Sequence, residues 1–307
     1  MRALVATGNP TAPLEIRAVD EPSAESSQSI VEVRSISINR GELRLLAARP
    51  EGWRPGQDIA GVVTQTAADG SGPPVGTRVV ALVDQAGWAE RVAVPSSRIG
   101  VLPEGVSFTQ AASLPVAGLT ALRTLRLGGM LVGRNVLVTG ATGGVGHFAV
   151  QLAARAGARV VGISRDPSRG KSLLGSGDVH VSGDLSSLEE RFDVILESVG
   201  GDSLTAALRL VARDGIVVMF GNSSGQEGRV AFGSIMAAPH ARLYAFFVYE
   251  SGEPPTFGAD LGLLAGEIAA GRLHPKVGLE ASWRDPLAAV EAVRQRSVEG
   301  KAVLRVD

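Results

Sequence analysis

The alternation of apolar and polar residues in the first hundred positions is typical of β-strands. Residues 31–38, Val-Glu-Val-Arg-Ser-Ile-Ser-Ile, alternate with period two, as expected for a half-buried strand. Shorter apolar runs, separated by turn-rich segments, predict further strands at residues 1–6, 60–64, 78–82 and 90–94. This part of the chain therefore predicts a partly antiparallel β domain.

From Thr109 onward the pattern changes to helices that alternate with short buried strands. The predicted strands lie at residues 136–138, 159–163, 193–196 and 216–220. This alternation predicts a parallel, doubly wound sheet. Further along, Asp285 as N-cap and Pro286 at the first helical position predict the start of a helix. Its apolar face would carry Leu287, Val290 and Val293, and a last strand is predicted at residues 301–306.

Composition and charge exclude several classes of protein. The chain has 307 residues, of which 45% are hydrophobic and 20% charged, so it is neither a disordered tail nor a coiled coil. A net charge of −1 argues against a nucleic-acid or anionic-membrane partner. The absence of cysteine excludes disulfides, a thiolate nucleophile and cysteine zinc sites. With no targeting segment and no apolar run approaching about 20 residues, a cytoplasmic protein is expected.

One segment carries clear chemical information. Residues 135–146 read Asn-Val-Leu-Val-Thr-Gly-Ala-Thr-Gly-Gly-Val-Gly, and a helix is predicted from Val145 to Ala156. Strand, glycine turn, helix and second strand fit a dinucleotide site, where the pyrophosphate lies on the helix N-terminus. Alanine replaces the first glycine of the usual G-x-G-x-x-G motif. The predicted cofactor-binding residues of this loop are Thr139, Gly140, Ala141, Gly143, Gly144, Val145 and Gly146.

The end of the second strand predicts which dinucleotide binds. NAD sites place a carboxylate there for the ribose 2′-hydroxyl, whereas NADP sites have small and cationic residues for the 2′-phosphate. Here Ser164 stands in the place of the acid, and Arg165 and Arg169 follow. NADPH is therefore the predicted cofactor. Asp166 leaves NADH use open, because a shift of one position would make it the ribose ligand, and a solvated basic loop is the other interpretation.

A series of short motifs runs through nearly the whole chain. They are residues 37–42 (SINRGE), 55–63 (PGQDIAGVV), 87–92 (GWAERV), 102–108 (LPEGVSF), 111–121 (AASLPVAGLTA), 196–201 (LESVGG), 271–275 (GRLHP) and 300–304 (GKAVL), with the glycine loop between the fifth and the sixth. In this order they resemble the medium-chain dehydrogenase/reductase superfamily, in particular its zinc-free quinone oxidoreductase-like branch.

The resemblance implies an α/β protein with two domains. Residues 1–110, completed by 252–307, would form a GroES-like, β-rich catalytic domain, and residues 111–251 a Rossmann NADPH-binding domain with a doubly wound parallel sheet. NADPH and substrate would lie in the cleft between them. The implied activity is zinc-independent hydride transfer from NADPH to a quinone or an α,β-unsaturated carbonyl compound. The implied partners are that small molecule and a second copy of the chain, through the apolar run 243–249.

The family's functional residues carry over position by position. Asn39 matches the asparagine near the nicotinamide and the substrate, and is the candidate donor to the oxygen that gains charge; the proton would come from solvent. Arg169 matches a basic ligand of the 2′-phosphate. Tyr249 is a second catalytic candidate at the substrate cleft. Other residues that match positions along the cofactor are Thr120, Gly221, Asn222, Phe246 and Phe247. Structural roles remain open: Asn39 could cap a turn, and the phenylalanines could belong to the core.

Alternative functions were weighed against this one. The loop also fits short-chain dehydrogenases, but their Tyr-x-x-x-Lys pair is missing, since Val248 and Glu253 follow the two tyrosines at that spacing. Four isolated histidines offer no metal-ligand spacing, so no metal is predicted. An enoyl reductase of a biosynthetic pathway and a non-catalytic NADPH-binding regulator remain open.

Overall fold

The computed structural model describes residues 1–173, 177, 179–183, 185–251 and 256–307. Its backbone divides into two compact units. Met1–Leu119 with Glu253–Asp307 form what we call the β-rich unit, and Thr120–Gly252 form the parallel-sheet unit. The units divide between residues 119 and 120, inside one helix, whereas the sequence places the domain boundary between 110 and 111.

The described residues form the following elements in chain order: β1 (Arg2–Ala6), β2 (Leu14–Ala18), β3 (Gln28–Ile38), α1 (Arg40–Ala48), β4 (Asp58–Gln65), β5 (Arg78–Leu82), β6 (Arg91–Pro95), β7 (Ile99–Val101), α2 (Phe108–Ala112), α3 (Pro115–Arg126), β8 (Asn135–Thr139), α4 (Gly144–Arg155), β9 (Arg159–Ile163), β10 (Val179–Ser182), β11 (Phe192–Glu197), α5 (Gly201–Leu210), β12 (Val211–Met219), α6 (Phe232–Met236), β13 (Arg242–Ala245), α7 (Phe257–Ala269), β14 (Val277–Ser282), α8 (Leu287–Arg294) and β15 (Lys301–Arg305). Short 3₁₀ turns lie at Ser96–Arg98, Pro167–Leu173 and Val248–Glu250.

A mixed sheet of seven strands organises the β-rich unit. Six strands follow the order β14-β15-β3-β4-β5-β7, and β6 pairs with the other end of the long strand β3. Strand β15 pairs antiparallel with β3, so that Ala302 lies opposite Ile38. Because of this register, the last strand of the chain comes next to the residues that lead from β3 into α1.

The parallel-sheet unit contains a six-stranded sheet in the order β10-β9-β8-β11-β12-β13. Every neighbouring pair in this sheet is parallel, and the order reverses direction at β8. Its central strands are buried apolar runs, as a sheet covered on both faces requires. The predicted α/β class, a β-rich domain beside a doubly wound parallel sheet, is confirmed.

The helical region predicted from Thr109 forms two helices rather than one. Helix α2 ends at Ala112, and α3 begins at Pro115. Proline has no backbone N–H and disfavours a helical conformation in the residue before it, so a helix ends ahead of Pro115 and a new one starts there.

The helix predicted near residue 285 begins one residue later than expected. Pro286 takes the N-cap position of α8, not Asp285. Val290 and Val293 are buried as predicted, but Leu287 is 36% exposed, because it belongs to the first turn, outside the face that Ala289 and Val290 bury.

The apolar run 243–249 lies at one edge of the parallel sheet. Strand β13 takes up only residues 242–245, and all four of its residues are exposed. Phe246 donates its backbone N–H to Met219 O at 2.8 Å, and the chain then turns into the 3₁₀ segment that holds Tyr249. The run is therefore an exposed edge followed by a turn, not a covered internal strand.

Candidate active site

The glycine loop joins β8 to α4 in the parallel-sheet unit. Gly140 has a φ of +64°, a conformation that glycine adopts without strain. A Cβ at position 146 would clash with the carbonyl oxygen of Gly140 and would lie 2.7 Å from the Cα of Ala141. Glycine at 146 therefore allows α4 to pack closely on the end of β8.

The start of α4 has no side-chain cap. Gly143 is its N-cap, and no side chain there hydrogen-bonds to the N–H groups of the first turn. The N–H groups of the first turn have no partner within the helix and carry the positive end of its dipole. A twelve-residue helix that begins in this way can bind an anion at its N-terminus, which Gly143, Gly144, Val145 and Gly146 form here.

Two of the predicted loop residues, Thr139 and Ala141, hold the loop in place by hydrogen bonds to neighbouring strands. The Thr139 hydroxyl lies 3.2 Å from Glu197 Oε1 and accepts the Ser198 backbone N–H at 2.9 Å. Ala141 is fully buried and donates its N–H to Ile163 O at 2.9 Å. The Thr139 hydroxyl and the Ala141 backbone N–H are thus used within the protein, because they join the end of β8 to the strands on either side.

A buried carboxylate on β11 holds the neighbouring loop in place. Glu197 accepts hydrogen bonds from the Val199 N–H at 3.0 Å, the Gly200 N–H at 3.0 Å and the Ser203 hydroxyl at 2.8 Å. These donors compensate for the burial of its charge. Sequence reasoning gave this residue no role.

At the end of β9 the predicted 2′-phosphate residues lie close to an acid. The Ser164 hydroxyl is 3.0 Å from that of Thr142, in the glycine loop, and 2.9 Å from Asp166 O. Arg165 is exposed, and Arg169 Nε lies 3.6 Å from Asp166 Oδ2. The structure therefore brings Ser164 to the glycine loop, through Thr142, which the sequence prediction had omitted.

Hydrogen bonds lower the pKa of Asp166. The largest effect comes from the Ser168 hydroxyl, at 2.6 Å from Asp166 Oδ1, and the Arg169 charge adds to it. The carboxylate is thus held ionised by its own turn. It is exposed on the surface beside the two arginines.

The remaining predicted cofactor residues in this unit differ in burial and in the contacts that their side chains make. Thr120 is buried. The Asn222 side chain accepts the Gly225 N–H at 3.0 Å and so stabilises the turn in which it lies. Phe247 is 61% exposed and packs against Tyr249, with ring centroids 5.3 Å apart. Phe247 is therefore not a core residue, which removes the structural alternative for that position. Phe246 is half-buried, and Gly221 follows β12.

Asn39 lies in a buried polar cluster of the β-rich unit. Its side-chain Nδ2 donates to Asp58 Oδ2 at 2.8 Å, and its Oδ1 accepts from Lys301 Nζ at 2.5 Å. Lys301 also lies 3.0 Å from Asp58 Oδ2, and Ser37 Oγ donates to the same oxygen at 2.6 Å. Asn39 is at the same time the N-cap residue of α1, so the capping alternative is correct for its backbone position.

A second carboxyl group is buried beside this cluster. Glu42 Oε2 accepts the Asn39 backbone N–H at 2.7 Å, whereas its Oε1 is buried without a hydrogen-bond partner. Burial raises the pKa of Glu42 to about 8, and the charge of Asp58 adds to the rise. Glu42 is therefore protonated and uncharged at neutral pH. The negative charge of Asp58 and the positive charge of Lys301 then balance each other within the cluster.

No role was predicted from the sequence for Ser37, Glu42, Asp58 or Lys301. Three of them lie in motifs at residues 37–42 and 55–63, and the fourth lies in 300–304. Spacing along the chain cannot show that they meet, since Lys301 is 262 residues from Asn39. One signal was available: lysine occurs only at positions 171, 276 and 301.

The described residues form neither a metal site nor a membrane-spanning helix. In that part of the chain, no three His, Asp or Glu side chains converge in a way that would hold a metal ion. Nor does any described helix combine the length and hydropathy needed to cross a membrane.

Known proteins resemble this chain in sequence and in structure. Residues 144–265 match the family model described as zinc-binding dehydrogenase. The chain is 34% identical over 286 residues to the spectinabilin polyketide synthase system protein NorB of Streptomyces orinoci, covering 89% of this chain and only 13% of that protein. It is 27% identical over 265 residues to quinone oxidoreductase-like protein 2 of Bos taurus, covering 82% and 76% of the two chains.

A solved structure extends this similarity to the whole chain. The quinone oxidoreductase of Escherichia coli, complexed with NADPH, superposes with a TM-score of 0.87 at 22% identity and covers 100% of both chains. The two units and the glycine loop thus form the two-domain α/β fold of dehydrogenases and reductases. In sequence and in fold, the chain resembles the medium-chain dehydrogenase/reductase superfamily, in particular its quinone oxidoreductase-like branch.

Proposed function

We propose that this protein is a zinc-independent oxidoreductase that uses NADPH to reduce a quinone or an α,β-unsaturated carbonyl compound. The observation that carries the proposal is the glycine loop, where α4 begins without a side-chain cap and Gly146 lets the helix approach β8. Zinc independence is supported by the absence of cysteine, since zinc-dependent alcohol dehydrogenases of this superfamily use cysteine as a zinc ligand.

The parallel-sheet unit would hold the cofactor. The backbone at Gly143–Gly146 would bind the pyrophosphate, and Ser164, Arg165 and Arg169 would bind the 2′-phosphate. NADPH, when bound, supplies a hydride. A serine at 164 favours NADPH over NADH, because it adds no negative charge beside the 2′-phosphate, as a carboxylate would. Asp166 acts against this preference, since its carboxylate lies beside Arg169.

The β-rich unit would present Asn39 to the substrate. An amide N–H can stabilise the oxygen on which negative charge develops, and this is enough for acceptors that delocalise the charge, such as quinones and enones. We find no reason to assign a protein acid to the second step, so the proton would come from solvent. Tyr249, packed on Phe247, remains the second catalytic candidate.

A second candidate function is favoured by one observation. The chain is 34% identical to a polyketide synthase system protein along 89% of its length. An enoyl reductase of a biosynthetic pathway performs the same chemistry on an enoyl thioester. The two candidates differ in substrate and not in the residues that we propose for hydride transfer.

The exposed strand β13 supports a homodimer. A parallel sheet that ends in an exposed, apolar strand has unpaired backbone groups and invites pairing with another strand. Leu243 and Tyr244 are 47% and 45% exposed on this edge. We propose that β13 of one protomer pairs with β13 of its partner across a two-fold axis.

A substrate panel with NADPH tests the proposed activity. Quinones, cyclic enones, enoyl thioesters and a saturated ketone would each be mixed with protein and NADPH, and the loss of NADPH absorbance followed. We expect turnover with quinones or enones and none with the saturated ketone. Turnover of enoyl thioesters alone would establish the second candidate. NADPH binding without turnover of any acceptor would refute both and leave a cofactor-binding regulator.

A further inference from the structure

The buried ammonium group of Lys301 hydrogen-bonds to three oxygen atoms. Its Nζ donates to Asn39 Oδ1 at 2.5 Å, Asp58 Oδ2 at 3.0 Å and Ile38 O at 3.3 Å. Lys301 is 5% exposed and Asp58 is fully buried. Asp58 is held as well by the Val116 N–H, which donates to its Oδ1 at 2.8 Å.

This arrangement fixes which way the Asn39 amide faces. Lys301 can only donate hydrogen bonds, so the atom beside it must be the amide oxygen. Ionised Asp58 can only accept them, so the atom beside it must be the amide nitrogen. Rotating the amide by half a turn would replace two charge-assisted bonds with two repulsive contacts. The second hydrogen of Nδ2 takes part in neither of these two bonds.

The surroundings of residue 301 suit a lysine side chain better than an arginine side chain. The chain contains thirty basic residues, and only 171, 276 and 301 are lysines. Three acceptors converge on one point at position 301, which suits a compact ammonium group. The planar guanidinium of arginine would spread its donors over a wider fork. In a chain whose basic residues are mostly arginines, the buried cation beside the Asn39 amide is thus a compact ammonium.

We propose that Lys301 and Asp58 are positioning residues that orient and polarise the Asn39 amide toward the substrate oxygen. This inference rests on the role that the proposed function gives to Asn39. The charge of Lys301 draws electron density toward Oδ1, which makes the remaining N–H a stronger donor. Lys301 and Asp58 act through Asn39 and need not touch the substrate. A buried ion pair that only stabilises the fold is the competing explanation.

A double-mutant cycle separates the two explanations. We expect Lys301→Met to lower kcat about 10-fold on a good acceptor, with little change in the dissociation constant of NADPH. In the Asn39→Ala background the same substitution should change kcat less than about 2-fold, because no amide remains to be oriented. An equal loss of kcat in both backgrounds would show that Lys301 acts on the fold alone.

Two further variants make the cycle decisive. Lys276→Met is the matched control, since Lys276 belongs to the same unit and its side chain is 38% exposed; it should leave kcat unchanged. If Lys301→Met folds poorly, Asp58→Asn repeats the cycle with the opposite partner of the ion pair. Asn39→Asp is unsuitable, because it would place a second carboxylate beside Asp58.

A crystal structure of the Lys301→Met, Asp58→Asn double variant gives a readout independent of activity. We expect the Asn39 amide to leave its present orientation once both charged partners are gone. If the amide keeps its rotamer, the positioning role is wrong even if Asn39 is catalytic. If instead Asn39→Ala matches the parent protein in kcat, the proposed role of Asn39 itself fails. The two failures are therefore distinguishable.

Discussion

Glu42 is an unusual residue because its carboxyl group is almost completely buried and has one oxygen without a partner. It is 1% exposed, and its Oε1 lacks a hydrogen bond. Burial and the charge of Asp58 raise its pKa to about 8, while Lys301 and Asn39 oppose the rise. The folded protein therefore holds this proton more tightly than the unfolded chain does. Stability must then depend on pH through this one group.

We expect the free energy of unfolding to fall as the pH rises from about 5 through about 8, as Glu42 loses its proton in the folded state. Glu42→Gln should flatten this dependence and stabilise the protein above about pH 8, because its side chain cannot ionise. Denaturant unfolding at several pH values measures the effect. Glu104→Gln, at an exposed position in the same unit, is the control. A parallel loss of stability in parent and Glu42→Gln would contradict the assignment.

Substitutions at and near Arg169 test whether the protein binds NADPH more tightly than NADH. NADPH should bind at least about 10-fold more tightly than NADH, which is about 1.4 kcal/mol. Arg169→Ala should shrink this ratio, and Asp166→Asn should widen it by removing the negative charge 3.6 Å from Arg169. Calorimetric titrations with both cofactors measure the ratio. Arg159→Ala, exposed at the opposite end of β9, should leave it unchanged. Equal affinities in the parent protein would overturn the assignment of Ser164 and Arg169.

At the residue scale, the sequence alone shows a candidate site only where the signal is local. The order of Ser164, Arg165 and Arg169 after a strand is readable in the sequence, and so is the glycine loop. The environment of Asn39 was not readable, because Lys301 and Asp58 reach it through tertiary pairing of β15 and β4 with β3. Burial also determines the state of Glu42, and a motif alone gives no measure of burial.

At the scale of elements, the turn from β8 to α4 depends on one close contact. Gly146 lies in the first turn of α4, where a methyl group would meet the backbone of Gly140 and Ala141. The helix would have to move away from the strand to accept it. Such a movement would also displace the N–H groups that we propose for the pyrophosphate.

Gly146→Ala should therefore cost about 1–3 kcal/mol in stability and weaken NADPH binding at least about 10-fold. Gly266→Ala is a matched control within helix α7, where a methyl group would meet nothing within 4 Å. It should leave NADPH binding unchanged and stabilise the protein by about 0.5–1 kcal/mol. Thermal unfolding and NADPH titration measure both effects. An unchanged NADPH affinity in Gly146→Ala would show that the loop is only a turn.

The periodicity of apolar residues in the sequence predicts most strands and helices, but it does not predict where each element begins and ends. Pro115 divides a predicted helical region into α2 and α3. Pro286 becomes a cap in place of Asp285, and Leu287 stays exposed. Periodicity measures which residues can share a face, whereas the ends depend on local backbone conformation and on which turn meets the core.

At the scale of the whole molecule, the exposed apolar edge of the parallel sheet is the feature that predicts assembly. Phe232 and Met236 of α6 are 76% and 61% exposed, and Leu243 and Tyr244 lie on β13. A cavity of about 180 Å³ lies beside them, lined by Leu208, Val211, Val230, Ser234, Ala238, Ala241, Arg242 and Leu243. Burying these side chains would offset the entropy that two protomers lose on association.

Light scattering should give a mass about twice 31.6 kDa for the parent protein. Leu243→Glu should shift it toward the monomer, because it places a charge on the edge strand. Leu263→Glu is matched in exposure, at 49% against 47%, but lies on α7 in the other unit, and it should remain dimeric. A parent protein with the mass of a single chain would refute the homodimer.

The central claim is that the protein transfers a hydride from NADPH to a conjugated carbonyl or quinone. Deuterium at C4 of the NADPH nicotinamide follows that hydride directly. With a cyclic enone, we expect deuterium from one face of the nicotinamide at the β-carbon of the product, and hydrogen from water at the α-carbon. Mass spectrometry and NMR of the product locate the label. Reduction without deuterium at the β-carbon, or bound NADPH with no reduction of any quinone or enone, would contradict the account.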